Sequence, residues 1–296
     1  MSYGLGLGLT LGGRISGGAP PPTFVGILDT LSAAANFAYS VRRLTANYTG
    51  PLLRVRRSSD NAEANIPYDS VGDLDTGVLL AFVGSGSGYV VSWFDQSDNG
   101  TDALQYVAAL QPRVVNSGTL ESANMRASIR YINADQTGFE VTTVDEPPAN
   151  TVLSVYSPIN RAENYETIIR SALSRIHTNL GASPSWGGYA TANSPTGVTL
   201  NFGQMYTLAI AGDYPPNPNP TNIDTSAQAY TDGVAISISN GGYYNAGPTA
   251  NIGHETYQGL ARGLEGYMPE IIRLYGKVDA TECIAAQANQ RAYYNI

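Results

Sequence analysis

The chain has 296 residues, 43% of them apolar, with only 14% charged and a formal net charge of −8. The apolar share excludes wholesale disorder, and the acidic balance excludes nucleic acid as the main partner, because phosphate binding needs a basic footprint that Arg42 with Arg43 and Arg56 with Arg57 are too local to supply. A single cysteine, Cys283, excludes an internal disulfide framework or a cysteine zinc cluster, and no apolar run approaches the roughly 20 residues of a membrane span.

In chain order, GLGLGLTLGG (4–13) comes first. In an extended strand Leu5, Leu7, Leu9 and Leu11 line one face and leave the other as nearly bare backbone. Such a ribbon either orders against a partner or stays a loose terminus. It lacks the basic start and long apolar centre of a secretory signal, so residues 1–23 are read as part of the working protein. GGAPPP (17–22) is a flexible-then-stiff hinge. The expected organisation is therefore an extended N-terminal arm, 1–23, and a folded domain, 24–296.

LSAAANFA (31–38) is a short helix candidate capped by Ser32. LLRVRR (52–57) reads as a strand, and Asp73 to Phe82 as a helical stretch closed by GSGSG (84–88). YVVSWF (89–94) is a strand. ASIRYI (127–132), TVLSVYS (151–157), GVTLNF (197–202), YTLAIAG (206–212), AISIS (235–239) and EIIRLYG (270–276) follow as short strands between turn residues. That spacing predicts an all-β sandwich or barrel. DYPPNPNPTN (213–222) is too rich in proline for a sheet interior. DATECIAAQANQRAYY (279–294) is a terminal helix, with Asp279 and Glu282 at capping-box spacing and Ile284 on the apolar face.

Two blocks, AYSVRRLTANYTGPLLRVRRSSDN (38–61) and VVSWFDQSDNGTDALQ (90–105), resemble the catalytic-domain family of fungal α-L-arabinofuranosidase B. The tail GLEGYMPEIIRLYGKVDATECIAAQANQRAYY (263–294) is similar to the closing strand and helix of concanavalin and laminin-G type domains. The resemblance implies a concanavalin-like jelly-roll β-sandwich with a few short helices and a C-terminal helix. Similar blocks recur in structural proteins of tailed bacteriophages, where the wording of this chain is closer.

Read from the residues alone, Arg54 and Arg56 share one strand face and Val55 and Arg57 the other, and Asp60 or Asp95 can hold one of these guanidiniums through paired hydrogen bonds. Asp95, Gln96, Ser97 and Asn99 suit a tight structural corner; Asp95, Asp98 and Asp102 are the weaker alternative of a calcium loop. A retaining glycosidase needs two carboxyl groups about 5 Å apart. The resemblance implies a nucleophilic glutamate where this chain carries Asn201, and an acid where NIGHE (251–255) carries Glu255. His177 and His254 show neither metal-ligand nor triad spacing. Trp186, Tyr189, Tyr243 and Tyr244 are candidates for stacking on a sugar face.

The resemblance and the residues together lead to a non-enzymatic structural protein of a phage particle, assembled in the host cytoplasm. Its arm would anchor it to other capsid or tail proteins, and its lectin-like sandwich would meet host glycans as a homo-oligomer or array. No cofactor, nucleic acid or membrane insertion is expected. The alternatives are an arabinofuranosidase-like glycoside hydrolase, with Glu255 as its acid, and a free lectin.

Overall fold

The computed structural model describes residues 1, 24–142, 149–160, 165–171, 175–179, 185–188, 201–213, 228–236, 249–257 and 260–296. Among them an 18-stranded hydrogen-bonded network, antiparallel throughout, is the main element. The chain is all-β, with the concanavalin-like sandwich architecture.

The network divides into two blocks packed face to face. In the first, Ala149–Pro158 is central, flanked by Tyr206–Asp213 on one side and Gly266–Tyr275 on the other. Gln228–Thr231 and Val234–Ile236 extend one edge, and Ala35–Ser40 forms the other. The second block runs from Glu63–Ile66 through Leu53–Arg57 and Gly88–Trp93 to Ala103–Leu104, Phe139–Val141 and Ala250–Ile252. It continues through Tyr165–Arg170 and Arg175–Asn179 to Ser185–Gly188. Arg113–Asn116 and Arg130–Tyr131 join the blocks at one corner.

Alternation along these strands builds the interior. Phe37, Tyr39, Val152, Leu208, Ile210 and Ile271 of the first block meet Val55, Val90, Trp93, Phe139, Ile169 and Ile252 of the second. Phe37, Tyr39, Trp93, Phe139 and Tyr131 form a chain of ring contacts across it, with centroids 5.1–6.1 Å apart, in the stacked and tilted arrangements that aromatic quadrupoles favour. The opposite face of the first block buries Ala38, Leu153, Ala209, Ala211, Ile272 and Leu274 under the terminal helix.

Two sequence expectations are corrected here. The segment 31–38 is not helical: Ala35–Ser40 is a strand paired with Leu274 through Glu270. Phe37 and Tyr39 enter the sandwich while Ala38 meets the helix layer, a two-sided burial that period-2 alternation provides. Ser32 instead donates its backbone N–H and hydroxyl to the Glu282 carboxylate, at 2.5 and 2.6 Å, tying the chain start to the terminal helix. In that helix, Ala280–Tyr294, Asp279 caps the Glu282 N–H at 2.9 Å. Ile284 lies on the solvent side; the buried face is Cys283, Ala286, Gln287, Gln290 and Tyr294. Burial pushes the Cys283 thiol up to about 12, so it remains a protonated packing residue.

The helix Thr76–Val83 begins at Asp75, whose carboxylate accepts the Val78 N–H. The AISIS strand is described as Val234–Ile236, following a tight two-residue turn at Asp232 and Gly233, both with positive φ. Asn201 and Phe202 of GVTLNF lie in a turn, not a strand, and its residues 197–200 fall outside the described residues, as does most of the proline-rich stretch 213–222.

Candidate functional site

The DQSDNG block seals a sheet edge. Asp95 Oδ1 accepts the N–H groups of Ala38 and Ser97, and Oδ2 accepts the Ser97 hydroxyl and the Thr101 N–H, all between 2.7 and 3.0 Å. The Gln96 N–H donates to the Ala38 carbonyl, and Asn99 Nδ2 donates to the carbonyls of Ala35 and Asn36. The Gln96 side chain accepts from Leu44 N–H and donates to the Arg42 carbonyl. The outer side of Ala35–Ser40 thus pairs with a loop where a further strand would otherwise add. Asp102 is part of the same corner, accepting the Asp95 N–H, and burial holds its carboxyl above the ordinary range. Among the described residues no group of three or more His, Cys, Asp or Glu side chains is placed to hold a metal ion, Asp95, Asp98 and Asp102 included.

The arginine block forms the expected paired contact at Asp60. Asp60 binds Arg57, through both Nε and Nη2, and not Arg54 or Arg56. Arg54 pairs with Glu63 at 2.7 Å. Among the described residues no guanidinium pairs with Asp95, whose oxygens accept from backbone N–H groups and the Ser97 hydroxyl. Arg56 lies over the Tyr89 ring at 5.0 Å.

Around NIGHE the chain makes a sharp change of direction. Gly253 has φ +81, and a Cβ there would fall 2.3 Å from the Tyr131 ring, so only glycine fits. Its N–H donates to the Ile168 carbonyl and its carbonyl accepts from Leu264. The next residues, His254–Tyr257, form a hairpin with Leu260–Gly263 in which Glu255 faces Arg262 directly. Glu255 is only 1% exposed. Arg170, the last residue of its strand, reaches it at 3.4 Å, and Arg262 at 3.6 Å. Beside it, burial favours the neutral His254 imidazole and holds it below its ordinary value, although the Glu255 charge acts in the opposite direction.

A second carboxylate, Glu166, is fully buried four positions before Arg170 and accepts the Tyr156 hydroxyl across the sandwich at 2.5 Å. Glu166, Tyr156, Arg170 and Arg262 were not singled out from the sequence. The available signal was a glutamate inside the otherwise β-forming run YETIIR (165–170).

The remaining candidates are not gathered there by any described contact. Asn201 is exposed in a turn, its N–H donating to the Tyr206 hydroxyl at 2.6 Å and its side chain to Gln204. The Trp186 backbone pairs with Thr178 and that of His177 with Gly187, but their side chains lie outside the described residues. Tyr189, Tyr243, Tyr244 and the arm leucines Leu5, Leu7, Leu9 and Leu11 lie outside them entirely.

No protein-family model matches the chain, and no curated protein sequence matches it. Among solved structures, a GH54 α-L-arabinofuranosidase soaked with a cyclic sulfate inhibitor is similar at a TM-score of 0.62 and 14% identity over 89% of this chain. An arabinofuranosidase complexed with arabinofuranosyl-α-1,2-xylobiose gives 0.61, 15% and 89%. This chain spans 63% of the length of each of those structures. At these identities the likeness is one of fold.

Proposed function

We propose that this chain is a non-enzymatic structural protein of a tailed-bacteriophage particle, a capsid decoration or head fibre, or a tail fibre or baseplate component. Residues 1–23 anchor it to neighbouring virion proteins by strand addition, and the sandwich is displayed as a homo-oligomer or array toward host-surface glycans. The observation that carries the non-enzymatic reading is the state of the two expected catalytic positions. Glu255 is sealed between Arg170 and Arg262, and the position expected for its partner is Asn201, which cannot form a glycosyl ester. The phage assignment is supported by the wording of the sequence blocks at 38–61 and 90–105.

The test has two arms. Purified protein is expected to release no product from an aryl arabinofuranoside; turnover abolished by Glu255→Gln establishes the hydrolase instead. Purified virions are expected to contain the protein and to lose it on deletion of residues 2–13; normal incorporation of the deletion variant removes the anchor. The arabinofuranosidase-like glycoside hydrolase stands as the second reading because the backbone likeness extends over 89% of the chain and because Glu166 is a second buried carboxylate.

A further inference from the structure

Five residues on five neighbouring strands are direct cross-strand partners in series. Arg56 faces Tyr89, Tyr89 faces Arg113, Arg113 faces Arg130, and Arg130 faces Tyr267. Their chain neighbours Val55, Val90, Val114, Tyr131 and Met268 all point into the core, so by alternation the five side chains form one row on the outer face. With strands about 4.8 Å apart, the row is about 19 Å long. Each member is partly exposed, neither free in solvent nor buried.

Its charges do not cancel. Arg113 is held by Glu121 at 2.6 Å, Arg130 by Glu265, and Glu121 also accepts the Tyr267 hydroxyl at 2.9 Å. Burial and that carboxylate push the Tyr267 hydroxyl up to about 12, so it stays a neutral donor. Arg56 is different. It is fixed by Gln111 Oε1 and Asn61 Oδ1, both at 2.7 Å, by the Ala108 carbonyl at 3.4 Å and by the Tyr89 ring. No carboxylate pairs with it among the described residues. Glu63, its cross-strand neighbour on the outer strand, is taken by Arg54. A chain of net charge −8 thus places a guanidinium, held among the described residues by neutral acceptors, at the end of a row with two further arginines and two tyrosines.

We propose that this row binds a linear acidic oligosaccharide. A sugar carboxylate pairs with Arg56, whose guanidinium keeps two N–H groups beyond the three that donate to Gln111, Asn61 and Ala108. Hydroxyl groups further along bond to Arg113 and Arg130, and the sugar rings pack beside Tyr89 and Tyr267. Pre-positioning by Gln111 and Asn61 limits the ordering entropy lost on binding. The assignment rests on the glycan-display reading above and names the surface and ligand class for it.

The test is calorimetric titration of the full chain with a galacturonate hexamer, a neutral xylose hexamer and inorganic sulfate. Saturable binding of the galacturonate oligomer is expected, at least tenfold tighter than the neutral one, and weakened by added salt. Arg56→Gln and Arg113→Gln are each expected to lower that affinity tenfold or more, with thermal unfolding confirming that the variants fold. Absence of saturable binding, equal affinity for sulfate or the neutral hexamer, or affinity unchanged in both folded variants overturns the proposal. Glycan binding that survives both substitutions removes this row but leaves the display reading intact, whereas absence of the protein from virions removes that reading and leaves the binding result standing.

Discussion

Glu270 and Glu255 are both buried glutamates beside arginine, yet their surroundings differ. Arg42 grips Glu270 with Nε at 2.7 Å and Nη2 at 3.1 Å, and Ser40, Gln290 and Tyr294 add hydrogen bonds. Arg42 in turn lies 4.4 Å from the Tyr293 ring centre. This cluster bolts the terminal helix to the sheet edge, a task that rewards short, directional contacts. Glu255 has two guanidiniums, one from a strand end and one from a hairpin, at 3.4 and 3.6 Å. The two guanidinium contacts described at Glu255 are longer than those between Arg42 and Glu270. The described guanidinium distances thus separate the two carboxylates.

Matched substitutions break that comparison most directly. Glu270→Gln should cost about 3–5 kcal/mol in urea unfolding, because it leaves the Arg42 cation buried without its counter-charge. Asp95→Ala should cost about 2–3 kcal/mol, since two backbone donors of the sealed corner and one of the edge strand lose a charged acceptor together. Glu255→Gln should cost less than either, about 1–2 kcal/mol; a loss equal to that of Glu270→Gln ends the distinction. Ile284→Lys, on the solvent side of the helix, should stay within about 0.5 kcal/mol.

Acid sharpens the same contrast. Burial would raise the Glu270 carboxyl, but Arg42 and the hydrogen bonds outweigh it and hold it below its ordinary 4.5. Its contribution is therefore present above the unfolded value and lost as pH falls through the lower folded one. Burial also holds His254 below 6.5, which gives the same sign: protonation favours the unfolded chain as pH drops. Melting temperature should fall in two stages, beginning below about pH 6.5 and again below about 4.5, with no matching loss on the alkaline side from these groups. The lower stage should be shallower in Glu270→Gln, and a wild-type curve flat through both ranges contradicts both assignments.

Much of this was legible along the chain. The runs YVVSWF and EIIRLYG declare themselves as strands because β-branched and aromatic side chains fit a pleated surface buried on both sides. The terminal helix is legible from its Asp279 cap. ANFAYS was not, because small residues and alanines suit a helix until Phe37, Ala38 and Tyr39 are each offered a partner layer. Ile284 was misplaced for a related reason: the buried helix face is lined with Cys283, Ala286, Gln287 and Gln290, so hydrophobicity alone points the wrong way.

The candidate site was less legible still. NIGHE marked Glu255, but Arg170 lies 85 positions earlier, and nothing local connects them. The sequence by itself determined the all-β class, the position of most strands and the capped helix, because these follow from propensities and periodicities within a few neighbouring residues. Only the tertiary structure decided which arginine meets which carboxylate, that the DQSDNG corner closes a sheet edge, and that Arg56, Tyr89, Arg113, Arg130 and Tyr267 stand in one row. Those outcomes depend on strand order and register, which are set by packing between segments far apart in the chain.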